Sequence, residues 1–218
     1  MPRMNILNDS SKESFSKPPL FSGDQRKHFM QGSAQLFKRC NKLRSAEARI
    51  YLFVGIAYFK ATKKLFNFSD FHKADIKTAC KRLDIDFPAQ SAPKLSKTSL
   101  SRLSKMILDL CGYSRFDATA EAFLQPEIDA MVKAELKPKL IFYRCLDLLI
   151  SKKVALPGYD KLSKIILAAL NQRKSSLVQI IDKNLNQESR QVLDSLFERH
   201  ESETVSDDSY ARHKLTRV

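Results

Sequence analysis

The sequence predicts an all-α, multi-helical protein with two packed helical lobes. Apolar residues recur at three- and four-residue spacings along most of its 218 residues, and no segment reads convincingly as a strand. The densest apolar stretch, residues 45–66, places Ile50, Phe53 and Ala57 on one helical face, and Ile56 and its neighbours widen that face to most of the circumference. We therefore expect this helix to be largely buried.

The remaining elements of the first lobe follow from caps and breakers. A turn of helix at 10–15 precedes Pro18 and Pro19, and short helices are expected at 24–30 and 34–43. After the central helix, a break at 67–70 lets Ser69 or Asp70 cap a helix over 71–83. A proline-containing loop at 84–97 then leads to a helix over 98–111, ended by Gly112.

The helices at 71–83 and 98–111 resemble a helix-turn-helix in outline, because the second has a polar, hydroxyl-rich and basic N-terminal half. Its connection is longer than the usual three or four residues. A basic amphipathic helix is also more often a solvated face than a DNA reader, so both interpretations stay open.

The second lobe is predicted to be helical throughout. A short helix at 118–124 is followed by one with Pro126 in its first turn, ending near residue 136, and by another beginning at Pro138. Three further helices are expected at 159–173, 176–185 and 188–198, each with an apolar stripe. We divide the chain into a basic helical domain at 1–116, a second helical domain at 117–199 and a disordered tail or linker at 200–218.

Charge is the most informative property of the composition. The formal net charge is +14, and residues 1–116 hold 22 Lys and Arg against 9 Asp and Glu, an excess of 13. Such an uncompensated positive charge predicts an anionic partner, and nucleic acid is the abundant polyanion inside cells. A merely soluble basic protein and a membrane-surface protein are the alternatives.

Cysteines and histidines give no sign of catalysis. The four cysteines are isolated, which indicates a reduced intracellular protein, and the N-terminus lacks the apolar run of a signal peptide. No Cys or His spacing suits a metal, no glycine-rich phosphate loop occurs, and no histidine belongs to a nucleophile motif. We interpret Asp70, Asp75, Asp84 and Asp86 as helix caps and loop residues. The expectation is a non-enzymatic chain without metal or cofactor.

Five sequence blocks follow one another along the chain: MPRMNIL, the proline pair, RIYLFVGIAYFK, ILDLCGYSRF and KPKLIFYRCLDLLISKKVALPGYDKL. Their succession over residues 1–197 resembles the N-terminal region of Tn-three family transposases, the large replicative class II enzymes. The resemblance implies a helical DNA-binding region that recognises the terminal inverted repeats of the transposon. It also implies that an RNase H-like domain, absent here, performs strand transfer, and that the protein works in the bacterial cytoplasm near the nucleoid.

Two functions remain in view. The first is a transposase DNA-binding module whose partners are double-stranded transposon ends and either the rest of a transposase or another copy of itself, with no membrane. The second is a helical interaction or regulatory module with nonspecific nucleic-acid affinity. The candidate DNA-binding residues lie in or just before the 98–111 helix, at the end of the central helix and near residue 40: Lys97, Thr98, Ser101, Arg102, Lys105, Lys60, Lys63, Lys64, Arg39, Lys42 and Arg44.

Overall fold

A computed structural model describes residues 5–86, 95–192 and 195. These residues form an all-α fold, as predicted, without a β-strand among them. The helices are α1 Asp9–Ser16, α2 Gly23–Phe29, α3 Ala34–Asn41, α4 Ala46–Thr62, α5 Lys73–Leu83, α6 Lys97–Cys111, α7 Ala118–Lys133, α8 Pro138–Ser151 and α9 Tyr159–Asn184. A 3-10 helix spans Phe68–Asp70, and residues 187–192 are again helical.

Helix α4 is the centre of the first hydrophobic cluster, and its predicted burial is confirmed. Every residue from Ile50 to Phe59 is buried, and α2, α3, α5 and α6 all pack against this helix. The Ser45 hydroxyl accepts a hydrogen bond from the backbone N–H of Ala48, which caps the N-terminus. Lys63 ends the helix in the left-handed conformation, with its N–H bonded to the carbonyl of Phe59.

A buried ion pair joins α2, α4 and α5. Asp75 is completely buried and accepts hydrogen bonds from Arg26 Nε at 2.6 Å and from Tyr58 Oη at 2.7 Å. Tyr58 Oη in turn accepts a bond from the backbone N–H of His72 at 3.2 Å. The interpretation of Asp75 as a cap or loop residue is therefore wrong: it lies in the first turn of α5 and neutralises Arg26.

The helices of the predicted helix-turn-helix-like pair, α5 and α6, each have their main contact with α4. Most of the predicted loop between them, residues 87–94, lies outside the described part of the chain. His72 precedes α5 without a side-chain cap, so neither Ser69 nor Asp70 caps this helix. A DNA-reading role for the pair stays a prediction.

Helices α7, α8 and the first half of α9 form a second hydrophobic cluster, which also includes Ile6 and Leu7. Two separate helices were expected where α7 is one, and the assignment of Pro126 to a first turn is wrong. Leu124 and Ile128 on either side of Pro126 are both fully buried on one stripe. Their burial offsets the backbone hydrogen bond that proline cannot make.

Of the described residues, those up to Leu170 form one compact unit, and those from Asn171 form another. Within the second unit, the predicted break between helices at 173 and 176 is absent, because the sequence there contains neither glycine nor proline. Leu177, Ile180 and Ile181 are exposed. The predicted helix at 188–198 is described only in part and the predicted tail at 200–218 not at all. The division at residue 116 stays a prediction.

Candidate nucleic-acid interface

Helix α6 is held on α4 by a close backbone approach. Leu103, Ile107 and Leu108 are buried on its inner side. Gly55 of α4 allows this contact, since a Cβ there would lie only 2.6 Å from Ile107 Cδ1. The Ser96 hydroxyl caps the start of α6, and Gly112 ends it with a φ of 68°.

One hydroxyl contact joins α4 to α6 beside the buried side chains of Leu103 and Ile107. Tyr51 Oη of α4 lies 3.3 Å from Ser104 Oγ and donates to the carbonyl of Phe66 at 3.2 Å. Burial raises the pKa of Tyr51, so this side chain remains a neutral hydrogen-bonding group. The polar side of α6 consequently faces solvent.

A groove of about 530 Å³ runs along that polar side. Four of the predicted site residues line it, namely Thr98, Ser101, Arg102 and Lys105, and all four are exposed. Lys97 is exposed on the first turn of the same helix but does not line the groove. The structure therefore brings most of the predicted α6 residues to one surface.

The far wall of the groove is the segment Tyr113, Ser114 and Arg115. Its position is set by the loop that follows α8: the Ser114 N–H donates to the carbonyl of Lys153 at 2.8 Å, and the Ala155 N–H donates to the carbonyl of Ser114 at 2.9 Å. Arg115 was not among the predicted residues. Its signal was its place three residues after the Gly112 helix stop, within the quoted block ILDLCGYSRF.

A second, smaller groove of about 120 Å³ lies along the C-terminal half of α6. Gln35 and Arg39 of α3 line it together with Met106, Asp109 and Leu110. Asp109 also lines the first groove, so the exposed part of α6 forms a ridge between the two. The lining of the larger groove includes three cationic side chains and one carboxylate, which leaves it positively charged.

Of the three lysines predicted at the end of α4, Lys60 and Lys63 reach the surface and Lys64 is buried. Lys60 is exposed, and Lys63 Nζ donates to the Lys60 carbonyl at 2.7 Å while lying 5.8 Å from the centre of the Tyr113 ring. Because Tyr113 lines the larger groove, Lys63 lies beside its wall. Lys42 and Arg44 are exposed near the end of α3 and line neither groove.

Lys64 does not belong to the predicted basic surface, so this part of the prediction is wrong. Its side chain is buried, and Nζ donates to the carbonyl of Phe15 and lies 3.8 Å from the centre of the Phe15 ring. Burial lowers its pKa from 10.5 to about 8. The Phe15 and Phe66 rings lie against the ammonium group of Lys64 and stabilise its buried position. The lysine thereby links α1 to the first hydrophobic cluster.

Two further structural findings concern other kinds of site. Among the described residues, no three His, Cys, Asp or Glu side chains are grouped closely enough to hold a metal ion. Over the same part of the chain, every helix is too short or too polar to span a bilayer.

The comparisons with known proteins place residues 6–169 in a family described as a domain of unknown function, DUF4158. The chain belongs to the DUF4158 family. The matched region begins in the N-terminal segment and ends in α9, so it includes both grooves of the candidate interface. No curated protein matches the chain.

Proposed function

We propose that this DUF4158 chain is the DNA-binding module of a Tn-three family transposase, and that α6 recognises the terminal inverted repeats of the transposon. The resemblance of the sequence blocks and the positive charge of residues 1–116 support the proposal. The module binds double-stranded DNA without a cofactor and leaves strand transfer to a separate catalytic domain. The remainder of the transposase, or a second copy of the module, is a further partner in the bacterial nucleoid.

The observation that carries the proposal is the ridge of α6 between two grooves, with Arg115 on the far wall of one and Arg39 on the wall of the other. The major groove of B-DNA admits one α-helix, and a phosphate backbone borders it on each side. An inserted α6 would meet bases along its ridge, while the two arginines would face the bordering phosphates.

Each side chain then has a chemical role. Arg102 can donate two hydrogen bonds to a guanine edge, and Thr98 and Ser101 supply short hydroxyl groups on the same approach. Lys105 supplies charge for a phosphate. Asp109 can accept a hydrogen bond from a cytosine amino group, and its negative charge disfavours a phosphate at that position.

Arg102→Ala tests the base-reading role. The full chain is first used to select binding sequences from a randomised duplex library, and affinity is then measured for the selected duplex and for a scrambled duplex at one salt concentration. We expect a loss of about 1–3 kcal/mol on the selected duplex and a smaller loss on the scrambled one. Arg144→Ala, an exposed arginine on α8, is the matched control and should change neither.

The selection also tests the transposase assignment. The enriched sequence should match the inverted repeats that flank the gene encoding the chain. Equal affinity for selected and scrambled duplexes would contradict sequence-specific recognition. An unchanged affinity of Arg102→Ala on both would show that α6 does not contact DNA, and the candidate surface would move to Lys60, Lys63 and the exposed arginines near residue 40.

A helical interaction module is the second candidate function, and one observation favours it. In the unit that begins at Asn171, Leu177, Ile180 and Ile181 are 38 %, 51 % and 51 % exposed, which is unusual for large aliphatic side chains on one helix. If this face binds a second copy of the chain, sedimentation velocity should detect a dimer that Ile180→Ser with Ile181→Ser dissociates. A monomer at all concentrations would remove this candidate.

A further inference from the structure

Three helix ends meet beside the wall of the larger groove. The α4 end is joined to the loop after α8 by the Leu156 N–H, which donates to the Lys63 carbonyl at 2.9 Å. The α6 end is joined to the same loop by the two hydrogen bonds of Ser114 with Lys153 and Ala155. These bonds hold the backbones of Lys63, Arg115 and Lys153 near one another. Val154, next to Lys153, belongs to the second hydrophobic cluster, whereas Tyr113, two residues before Arg115, packs against the first.

The backbone at two of these positions favours glycine over lysine. Lys63 and Lys153 end α4 and α8 with φ of 58° and 53°, in the left-handed region where Gly112 ends α6. Glycine fits this position without steric strain, whereas a residue with a Cβ is destabilised there. The fold alone therefore does not require a lysine at either helix end.

We infer that Lys63, Arg115 and Lys153 form one phosphate-binding surface, so that a DNA duplex lying on α6 also contacts the loop that follows α8. This inference rests on the proposed function, and it extends the interface beyond residue 116 into the nearly neutral part of the sequence. Arg115 and Lys153 are exposed, and Lys63 is half-buried with its ammonium over the Tyr113 ring. Because Arg115 also lines the larger groove and Lys63 lies against Tyr113 of its wall, the surface adds two lysines to the positive charge there.

A purely structural role for Lys63 and Lys153 is the alternative that the experiment must distinguish from phosphate binding. Cations at helix C-termini interact favourably with the helix dipole, and Lys63 Nζ bonds a carbonyl of its own helix. Glycine substitution distinguishes the two roles, since it relieves the left-handed strain while removing the charge. If the lysines serve only the fold, Lys63→Gly and Lys153→Gly change thermal stability and leave DNA affinity unchanged.

The test measures the affinity of the full chain for the selected duplex and for a scrambled duplex over a series of salt concentrations. Each glycine variant should lose affinity by about eightfold at about 0.1 M salt, and the double variant should lower the salt slope by about 2. The loss should be equal on both duplexes, since phosphates carry no sequence information. Circular dichroism should show unchanged helix content.

Two controls match these variants. Glu135→Gly replaces another left-handed residue at a helix end, with a φ of 56°, and should not weaken binding. Lys137→Gln with Lys139→Gln removes two exposed lysines at the start of α8, about 20 Å along the helix from Lys152, and should leave the salt slope unchanged.

The outcomes separate the inference from the proposed function. A wild-type chain that binds neither duplex overturns both. A wild-type chain that binds, with a double glycine variant that binds equally well, overturns only the extended surface. Glutamine variants at the same two positions keep the Cβ and remove the charge. A loss of affinity with glycine but not with glutamine would assign the effect to the backbone and would also overturn the inference.

Discussion

Removing the carboxylate of Asp75 should strongly destabilise the packing of α2, α4 and α5. The carboxylate is fully buried, and it is the common acceptor for Arg26 of α2 and Tyr58 of α4. Asp75→Ala leaves a guanidinium without its counter-charge and leaves a buried phenol without its acceptor. Breaking a buried pair by removing one partner costs about 3–5 kcal/mol.

The position of Arg26 sets the expected value within that range. Its side chain is 26 % exposed, so water takes over part of the lost interaction, and its Nη2 keeps a bond to the carbonyl of Phe21 at 3.0 Å. We therefore expect a loss of about 3 kcal/mol in the free energy of unfolding for Asp75→Ala. Tyr58→Phe removes the hydrogen bond to the Asp75 carboxylate and the one from the His72 N–H, and should cost about 2 kcal/mol.

Urea unfolding followed by far-UV circular dichroism measures these values, since the chain contains no tryptophan to report by fluorescence. Asp70→Ala, an exposed aspartate just before α5, is the matched control and should change stability by less than about 0.5 kcal/mol. A double-mutant cycle with Arg26→Met should show coupling above about 1 kcal/mol. An Asp75→Ala loss below about 1 kcal/mol, or additive single effects, would refute the ion-pair account.

Three further predictions concern groups away from the candidate interface. The folded chain releases the Lys64 proton near pH 8, whereas the unfolded chain releases it near pH 10.5. The unfolding free energy of the wild type, compared with that of Lys64→Met, should therefore rise by on the order of 3 kcal/mol as the pH rises from 8 to 10.5, measured by parallel urea titrations. Pro126→Ala should raise the unfolding free energy by about 1–3 kcal/mol, because α7 continues through this exposed position; an unchanged midpoint would contradict it. Burial raises the pKa of Cys40 to about 11, so at about pH 8 it should react with a thiol reagent more slowly than half-exposed Cys80, and equal rates would argue against its burial.

The features that depend on local periodicity could be predicted from the sequence. The burial of α4 and the exposure of Arg102 and Lys105 follow from residue spacing along single helices. The errors lie where tertiary packing overrides a local signal. Pro126 is a helix breaker by itself, but the buried stripe on both sides of it keeps α7 continuous.

Lys64 and Asp75 show why net charge along the sequence differs from charge on the surface. Lys64 contributes to the excess of residues 1–116, yet it is buried against Phe15, a contact between residues 49 positions apart. The charge of Arg26 is likewise compensated by Asp75, also 49 positions away. No pattern within one helix indicates either pairing, because both depend on how separate helices pack.

At the candidate interface, helix packing adds positive charge from a distant part of the sequence. Arg115 and Lys153 lie 38 positions apart, and the Ser114 hydrogen bonds bring their backbones together beside α6. Counting charges up to residue 116 assigns the positive surface to the first half of the chain, whereas the proposed phosphate-binding surface draws a lysine from the second. If Lys153→Gly weakens DNA binding as Lys63→Gly does, the loop after α8 belongs to the same DNA-binding surface as the end of α4, and residue 116 does not bound the functional module.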